Sequence, residues 1–289
     1  GASTAYRPSG DLRYLSHHFD GVIEDVVVLD RALYPLETLL LSQDQLEVLE
    51  VGTTPVVPEE TPVIDETPVD TPVDTPVEAI ESIDIPGALS FWSFDNGVEG
   101  VFADARGDNA VTTYRLEGNL AVRVTDTPLR NGPDGEENSA LEFNGSDSFA
   151  FLEHDTSHEI TQGTIALWVQ PDDFHRCGQI ILSKDESGSG DGGHFRFGLT
   201  DDGRIFLRFA NGDGGSNKAW ESSVSYLEEG EWTHLAVSFS ADGGITVYAN
   251  GIAVPDYGWI RKEGNEDLPS LQSEAYLLQN QEPWILGAD

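Results

Sequence analysis

The residues with the greatest capacity for chemistry in this sequence are its carboxylates. Asp and Glu number 52 against 15 Lys and Arg, a formal net charge of −37 over 289 residues. Hard oxygen donors in this abundance suit Ca2+, which draws about six to eight ligands from carboxylates, carbonyls and water. Asp185, Asp191 and Asp213, with Asp201 and Asp202 near them, fall in Gly-rich loops and form a candidate secondary cation site. His154, Asp155, His158 and Glu159 cluster as well, and their His-x3-His spacing would suit zinc on a helix. The alternation on either side makes that stretch a loop, so these four read as solvated residues. Trp220, Tyr226, Tyr257 and Trp259 sit among Asp- and Asn-rich loops and offer faces on which sugars stack, although burial in a core would explain the same residues.

Catalytic constellations are missing. A glycoside hydrolase needs two carboxylates flanking the scissile bond, yet no strand carries a Glu-x-Asp-x-x-Glu phrase. Neither Gly-x-Ser-x-Gly nor His-Glu-x-x-His occurs. The chain therefore reads as a non-enzyme. Its charge argues against nucleic acid as a partner, because a polyanion is bound through Lys and Arg. Such a surface repels itself unless salt or divalent cations screen it, which points to a saline or calcium-containing medium. Cys177 is the only cysteine, so no intramolecular disulfide forms and the compartment is left open. No apolar run reaches the roughly 18 residues of a membrane span, and no secretory signal opens the chain. With no Met and Gly1 in first place, the sequence reads as a processed piece or a repeat.

The elements that must hold these residues divide into three stretches. Residues 51–86 repeat Thr-Pro-Val at Thr54, Thr61, Thr67, Thr71 and Thr75 and carry nine acidic residues with no basic one. Close prolines and like charges favour an extended spacer, about 3.1 Å per residue and roughly 100 Å in reach. A strand laid along a domain edge is the alternative. Residues 87–289 alternate apolar and polar positions in short runs, among them Ala88 to Phe94, Thr164 to Val169, Arg204 to Phe209 and Trp232 to Phe239. Asn144-Gly145, Asp202-Gly203 and Asn250-Gly251 supply hairpin turns. About a dozen strands are expected. Residues 1–50 hold one β-branched run, Gly21 to Leu29, and a short helix near 35–49 opened by Pro35. A strand and a helix alone bury no core, so this stretch must complete something else.

Taken together, these phrases resemble the laminin-G-like, concanavalin A-like jellyroll domains of bacterial surface proteins. The resemblance runs through Leu89 to Asp95, Asp104 to Asn109, Ala140 to Gly145, Thr164 to Pro171, Ile181 to Lys184, Trp232 to Val237 and Val247 to Gly251. It implies an all-β, two-sheet antiparallel sandwich. In the family, the phrase after Trp284 to Asp289 continues into one like Phe19 to Val26, followed by Arg-Ala-Leu and a helix. Here that closing phrase stands at the other end of the chain. The sequence thus reads as a circularly shifted window on a unit of domain plus spacer.

Three arrangements follow: a covalent tandem array, subunits that exchange the closing strand, or a chain whose spacer folds back. A stiff acidic spacer favours the polymeric forms, in which Phe19, Gly21, Ile23, Val26, Val28 and Leu286 form the junction between copies of the chain. The resemblance also implies a structural calcium at Asp95 and Asp104, with Glu24 or Asp25 from the closing strand; both early aspartates would serve equally as turn residues. Arg106-Gly107-Asp108, a tripeptide displayed by integrin ligands, falls where the family carries a Ser-Gly-Asn-like phrase, so it reads as a turn. The functional expectation is a calcium-stabilised structural repeat of an extracellular or cell-surface fibre or adhesin. A carbohydrate-binding, lectin-like module that holds polysaccharide is the alternative, and glycoside hydrolysis ranks below both.

Overall fold

The computed structural model of the protein describes residues 15–42, 87–95, 97–118, 120–160, 162–174, 178–184, 195–209, 218–240, 244–255, 258–263 and 283–289. In chain order the first strands are β1 (Asp20–Leu29), β2 (Ala88–Trp92), β3 (Val101–Phe102), β4 (Val111–Glu117), β5 (Leu120–Arg123) and β6 (Leu129–Arg130). Next come β7 (Ala140–Asn144), β8 (Ser148–Leu152), β9 (Gln162–Pro171), β10 (Gln179–Lys184), β11 (Phe195–Leu199) and β12 (Arg204–Phe209). The last are β13 (Lys218–Ser225), β14 (Thr233–Ser240), β15 (Gly244–Ala249), β16 (Ile252–Ala253), β17 (Trp259–Glu263) and β18 (Trp284–Leu286). One helix, α1 (Pro35–Leu41), follows β1.

Two antiparallel sheets form a concanavalin A-like sandwich. The eight-stranded sheet runs β16-β15-β14-β9-β1-β7-β6, with β2 also on β1; the ten-stranded sheet runs β17-β13-β12-β11-β10-β18-β8-β4-β3, with β5 on β4. Period-two alternation builds the core between them. Ile165, Leu167 and Val169 of β9 and Leu235, Val237 and Phe239 of β14 meet Phe195, Phe197 and Leu199 of β11 and Ile205, Leu207 and Phe209 of β12 in one buried cluster. Tight turns keep the register: Asn250 and Gly251 have φ of 49° and 74°, the two-residue geometry that matches the twist of the β15–β16 hairpin.

The closing strand overturns the expected exchange between copies. β1 lies inside this chain's own sandwich, paired along its length with β9 and, on its other side, with β7 through Asp20 to Ile23 and with β2 through Val26 to Leu29. It fills the middle of the sheet rather than sealing an edge. Phe19, Ile23, Val26 and Val28 belong to the same buried cluster as Leu286, and Gly21 pairs with Phe143 and Pro171, so the predicted junction residues are intrachain contacts. The physical reason lies in the connector. Loop-closure entropy rises only with the logarithm of length, so a span as long as 43–86 does little to oppose return. Each apolar side chain that β1 buries contributes about 1.5–3 kcal/mol. The spacer itself, 51–86, lies outside the described residues.

A bulge divides β1. Asp25 has φ of 50°, and the pairing with β9 slips between Glu24 and Val27. The extra residue changes the parity of the strand, so that Ile23, Val26 and Val28 all face the inter-sheet core. Val27 and Leu29 turn to the opposite face, where they meet Leu33, Leu41, Ala166, Ala236 and Tyr248. That second cluster seats α1, whose small neighbours Ala166 and Ala236 leave room for the helix. Pro35 stands in its first turn as expected, and Tyr34 donates its backbone N–H to Glu37 Oε2 at 2.8 Å. The helix ends at Leu41, and 43–49 lie outside the described residues.

Residues 15–19 form a strap bonded by its backbone to β10 and to the residues after β18. Ser16 N donates to Asp289 O at 2.7 Å, Asp289 N donates back at 3.1 Å, Phe19 N donates to Gly287 O and Ile180 N to His17 O. Leu15 packs there against a third cluster of Tyr114, Phe149, Phe151, Ile285 and Ala288.

Candidate functional site

A cleft of about 360 Å³ opens beside the strap. Its floor follows from strand alternation. Phe195, Phe197 and Leu199 point into the core, so Arg196 and Gly198 between them face outward. Gly198 is opposite Ile180 on β10 and Phe206 on β12. An aliphatic and an aromatic side chain thus flank a strand position that carries none. Arg196, Glu221, Thr200, Asp201, His17 and Asp289 supply the polar rim.

Asp289 organises one end of that rim. Its Oδ1 lies 2.8 Å from His17 Nδ1 and accepts from Ser16 Oγ at 3.1 Å, and its Oδ2 lies 2.8 Å from Arg196 Nε. Burial alone would raise this carboxyl, but the bond to His17 and the charge of Arg196 outweigh it and hold Asp289 below the usual carboxylate range. The same bond raises His17 above the ordinary imidazole value. Glu221 Oε2 is ion-paired with Arg204 at 3.2 Å, and Arg204 Nε also contacts both oxygens of Asp202 at 2.8 Å. The cleft was not legible in the sequence, because its residues come from the strap, four strands and the end of β18 without any shared spacing.

On the opposite sheet, the bulge places Glu24 in a buried acidic site. Glu24 is 5% exposed, its Oε2 has no hydrogen-bond partner, and Ser139 bonds the carboxyl. Burial, reinforced by the charges of Asp134, Asp95 and Glu136, pushes it up to about 7. Asp95 is also raised, chiefly by burial and further by Asp134. Gly132 lies against the group: a Cβ there would come within 2.4 Å of both Glu24 oxygens and of Ser139 Oγ. Among the described residues, no group of three or more His, Cys, Asp and Glu side chains is close enough to hold a metal ion by itself. Glu24 Oε2, buried and without a hydrogen-bond partner, is the donor that a cation here would engage.

The predicted cation set is therefore divided. Glu24 lies within electrostatic reach of Asp95, and also of Asp134 and Glu136, which the sequence reading missed. Asp25 takes the bulge. Asp104 stands apart in a turn: its Oδ1 accepts from Phe91 N and Arg106 N, both at 2.9 Å, its buried Oδ2 has no hydrogen-bond partner, and its charge bears on His158. Asp185, Asp191, Asp213 and Tyr257 lie outside the described residues.

Trp220 and Trp259 are not sugar platforms. They are 0% and 7% exposed in the inter-sheet core, because β13 and β17 extend the ten-stranded sheet and turn these rings inward; Tyr226 packs against the same cluster. His158 is a further correction. Expected to be solvated, it is fully buried in a single 3-10 turn, Thr156–His158, with Nε2 2.8 Å from Ser90 Oγ and its ring edge-on to Trp92 and Trp284. Arg106-Gly107-Asp108 occupies a bend in which Gly107 and Asp108 are exposed.

Comparison with known proteins bears on the fold. Residues 143–261 match the family model described as the concanavalin A-like lectin/glucanases superfamily. The laminin-G-like resemblance thus holds over that stretch. No curated protein matches the chain. Among solved structures, the binding domain of Paraclostridial Mosquitocidal Protein 1 is similar at 15% identity, over 68% of this chain and 44% of that one, with a TM-score of 0.44. A botulinum neurotoxin type C structure concerned with two ganglioside molecules gives 12%, 70%, 42% and 0.42. The binding domain of botulinum neurotoxin DC in complex with rat synaptotagmin II gives 10%, 70%, 43% and 0.43. The chain spans less than half the length of these solved chains. Among the described residues, no helix is long and apolar enough to cross a membrane.

Proposed function

We propose that this chain is an extracellular or cell-surface carbohydrate-binding module whose ligand lies in the cleft beside the strap. The observation that carries this reading is the cleft's lining: the aromatic Phe206 stands with the aliphatic Ile180 and Leu199, and Arg196, Thr200, Asp201 and Glu221 are around them. An apolar floor with convergent polar groups is the usual form of a small-ligand site, and an aromatic face beside planar hydrogen-bonding groups suits a pyranose ring. The role proposed for the cleft is binding rather than cleavage. Glycan-array binding by the full chain, lost in Phe206→Ala with the melting temperature unchanged, is the expected result. No binding to any glycan at millimolar concentration would refute the reading.

A second reading rests on Glu24. We propose that calcium binds at Glu24, within electrostatic reach of Asp95, Asp134 and Glu136, neutralising a buried carboxylate and tying β1 to the turn between β6 and β7. A divalent ion supplies there the positive charge that the surrounding acidic groups lack. Assembly of copies into a fibre has less support, since β1 is already seated within its own chain.

A further inference from the structure

We propose that His17, Asp289 and Arg196 form a pH-sensitive clasp that holds residues 15–19 in place and sets His17 in the wall of the cleft, so that ligand affinity falls when His17 loses its proton. This rests on the cleft being the ligand site proposed above.

The argument begins with the strap's attachment. Its backbone is tied to the residues after β18 by the reciprocal Ser16 and Asp289 bonds and by Phe19 N to Gly287 O, and to β10 by Ile180 N to His17 O. Leu15 adds a side-chain contact to the third apolar cluster. His17 itself has φ of 50°, a left-handed conformation that non-glycine residues rarely adopt. Strain of this kind persists only where neighbouring contacts over-determine it. Through the side chain, Nδ1 lies 2.8 Å from Asp289 Oδ1 and 2.9 Å from Ser16 Oγ. His17 also lines the cleft, so the strained residue and the wall are the same group.

The charged groups around His17 set the direction of the response. Asp289 favours the protonated ring and Arg196 opposes it. Across the cleft stand Asp201 and Glu221, and the adjacent His18 turns its Nδ1 to Ser148 O at 3.4 Å and is lowered by burial. Because Asp289 raises His17, the charged bond is complete below the ordinary imidazole value and is lost as pH rises through the raised one. The backbone bonds of Ser16, Phe19 and Ile180 do not titrate, so loss of the His17 charge loosens the strap without releasing it.

Hydrogen exchange on the full chain tests this without any ligand. The amides of Ser16, Phe19, Ile180 and Asp289, the donors of the strap's backbone bonds, are followed at about pH 6 and about pH 8.5, corrected for intrinsic exchange. Their protection should fall about threefold or more at the higher pH, while core amides such as Val237 hold constant. In His17→Gln, which keeps a hydrogen-bonding side chain without titrating, protection should not change with pH. A flat wild-type response, or a fall that persists in His17→Gln, overturns the clasp. A second arm measures an array-selected glycan at both pH values. Weaker binding at the higher pH in wild type alone supports the proposal, and pH-independent binding beside pH-dependent exchange overturns it. If no glycan binds at all, the ligand reading falls and the exchange data still decide whether the clasp exists.

Discussion

Asp289 Oδ1 accepts from Ser16 Oγ while its Oδ2 faces Arg196 Nε at 2.8 Å, so one carboxylate joins the strap, β11 and the end of β18. The side chain is 1% exposed, whereas those of His17 and Arg196 are 46% and 26% exposed. Removing the buried partner should therefore cost more than removing either exposed one. Asp289→Asn is expected to lose about 1–2 kcal/mol, several degrees of melting temperature. Solvent screening limits His17→Ala to less than about 1 kcal/mol. Thermal melts in which His17→Ala is the worse variant would contradict this ranking.

The central position of β1 makes a stronger demand. Without it, β16-β15-β14-β9 separates from β7-β6 and from β2, leaving unpaired backbone on both sides of the gap. A chain beginning at residue 43 should aggregate or remain unfolded. A peptide of residues 15–42 added in trans should restore a monomeric complex with cooperative melting. A soluble truncated chain with wild-type stability would show that β1 is dispensable to the fold.

Much of this architecture is written in short-range patterns. Period-two alternation marks β12 because one of its faces is buried and the other half-buried, whereas β9 and β14, buried on both faces, are legible as apolar runs to within a residue or two. Gly21 to Leu29 is recognisable as a strand, yet its partner is not, since β-branched residues specify a strand and leave open whose sheet receives it. Trp220 and Tyr226 show the limit at the site. Local sequence marks a large aromatic, but its burial depends on the opposite sheet. The cleft was hidden for a related reason: His17, Arg196, Phe206 and Asp289 share no interval and meet only through the pairing of distant strands. Asp134 and Glu136 escaped notice because nothing in their turn indicates that Gly132 will rest on Glu24.

That contact gives a test of the acidic site. Glu24→Gln keeps the shape of the side chain and removes a buried negative charge faced by Asp95, Asp134 and Glu136. Without divalent ions, this variant should melt several degrees above wild type. Calcium should raise the melting temperature of wild type by mass action and leave the variant unmoved. Gly132→Ala should lower stability and weaken the calcium response, because its Cβ would displace the carboxylate. A calcium response of equal size in Glu24→Gln would remove the ion from this position.

His234 predicts the acid limit of the fold. Its side chain is buried on β14, its Nδ1 has no hydrogen bond, and its ring stands edge-on to Trp168 with centroids 5.2 Å apart. Burial pushes it down to about 3 from an ordinary 6.5. An unfolded chain therefore takes up a proton below about pH 6.5 that the folded chain refuses until about pH 3, so stability falls across that window as pH falls. The loss is at most roughly 5 kcal/mol for this group. His158, also lowered by burial, acts in the same direction. Against both works the protonation of 52 carboxyl groups, which relieves self-repulsion. The difference between wild type and His234→Phe isolates the one group. Denaturant melts should show the two proteins converging as pH falls from about 6.5 toward 4, because the variant has no imidazole to charge. A constant difference over that range would mean that His234 is protonated in the folded protein.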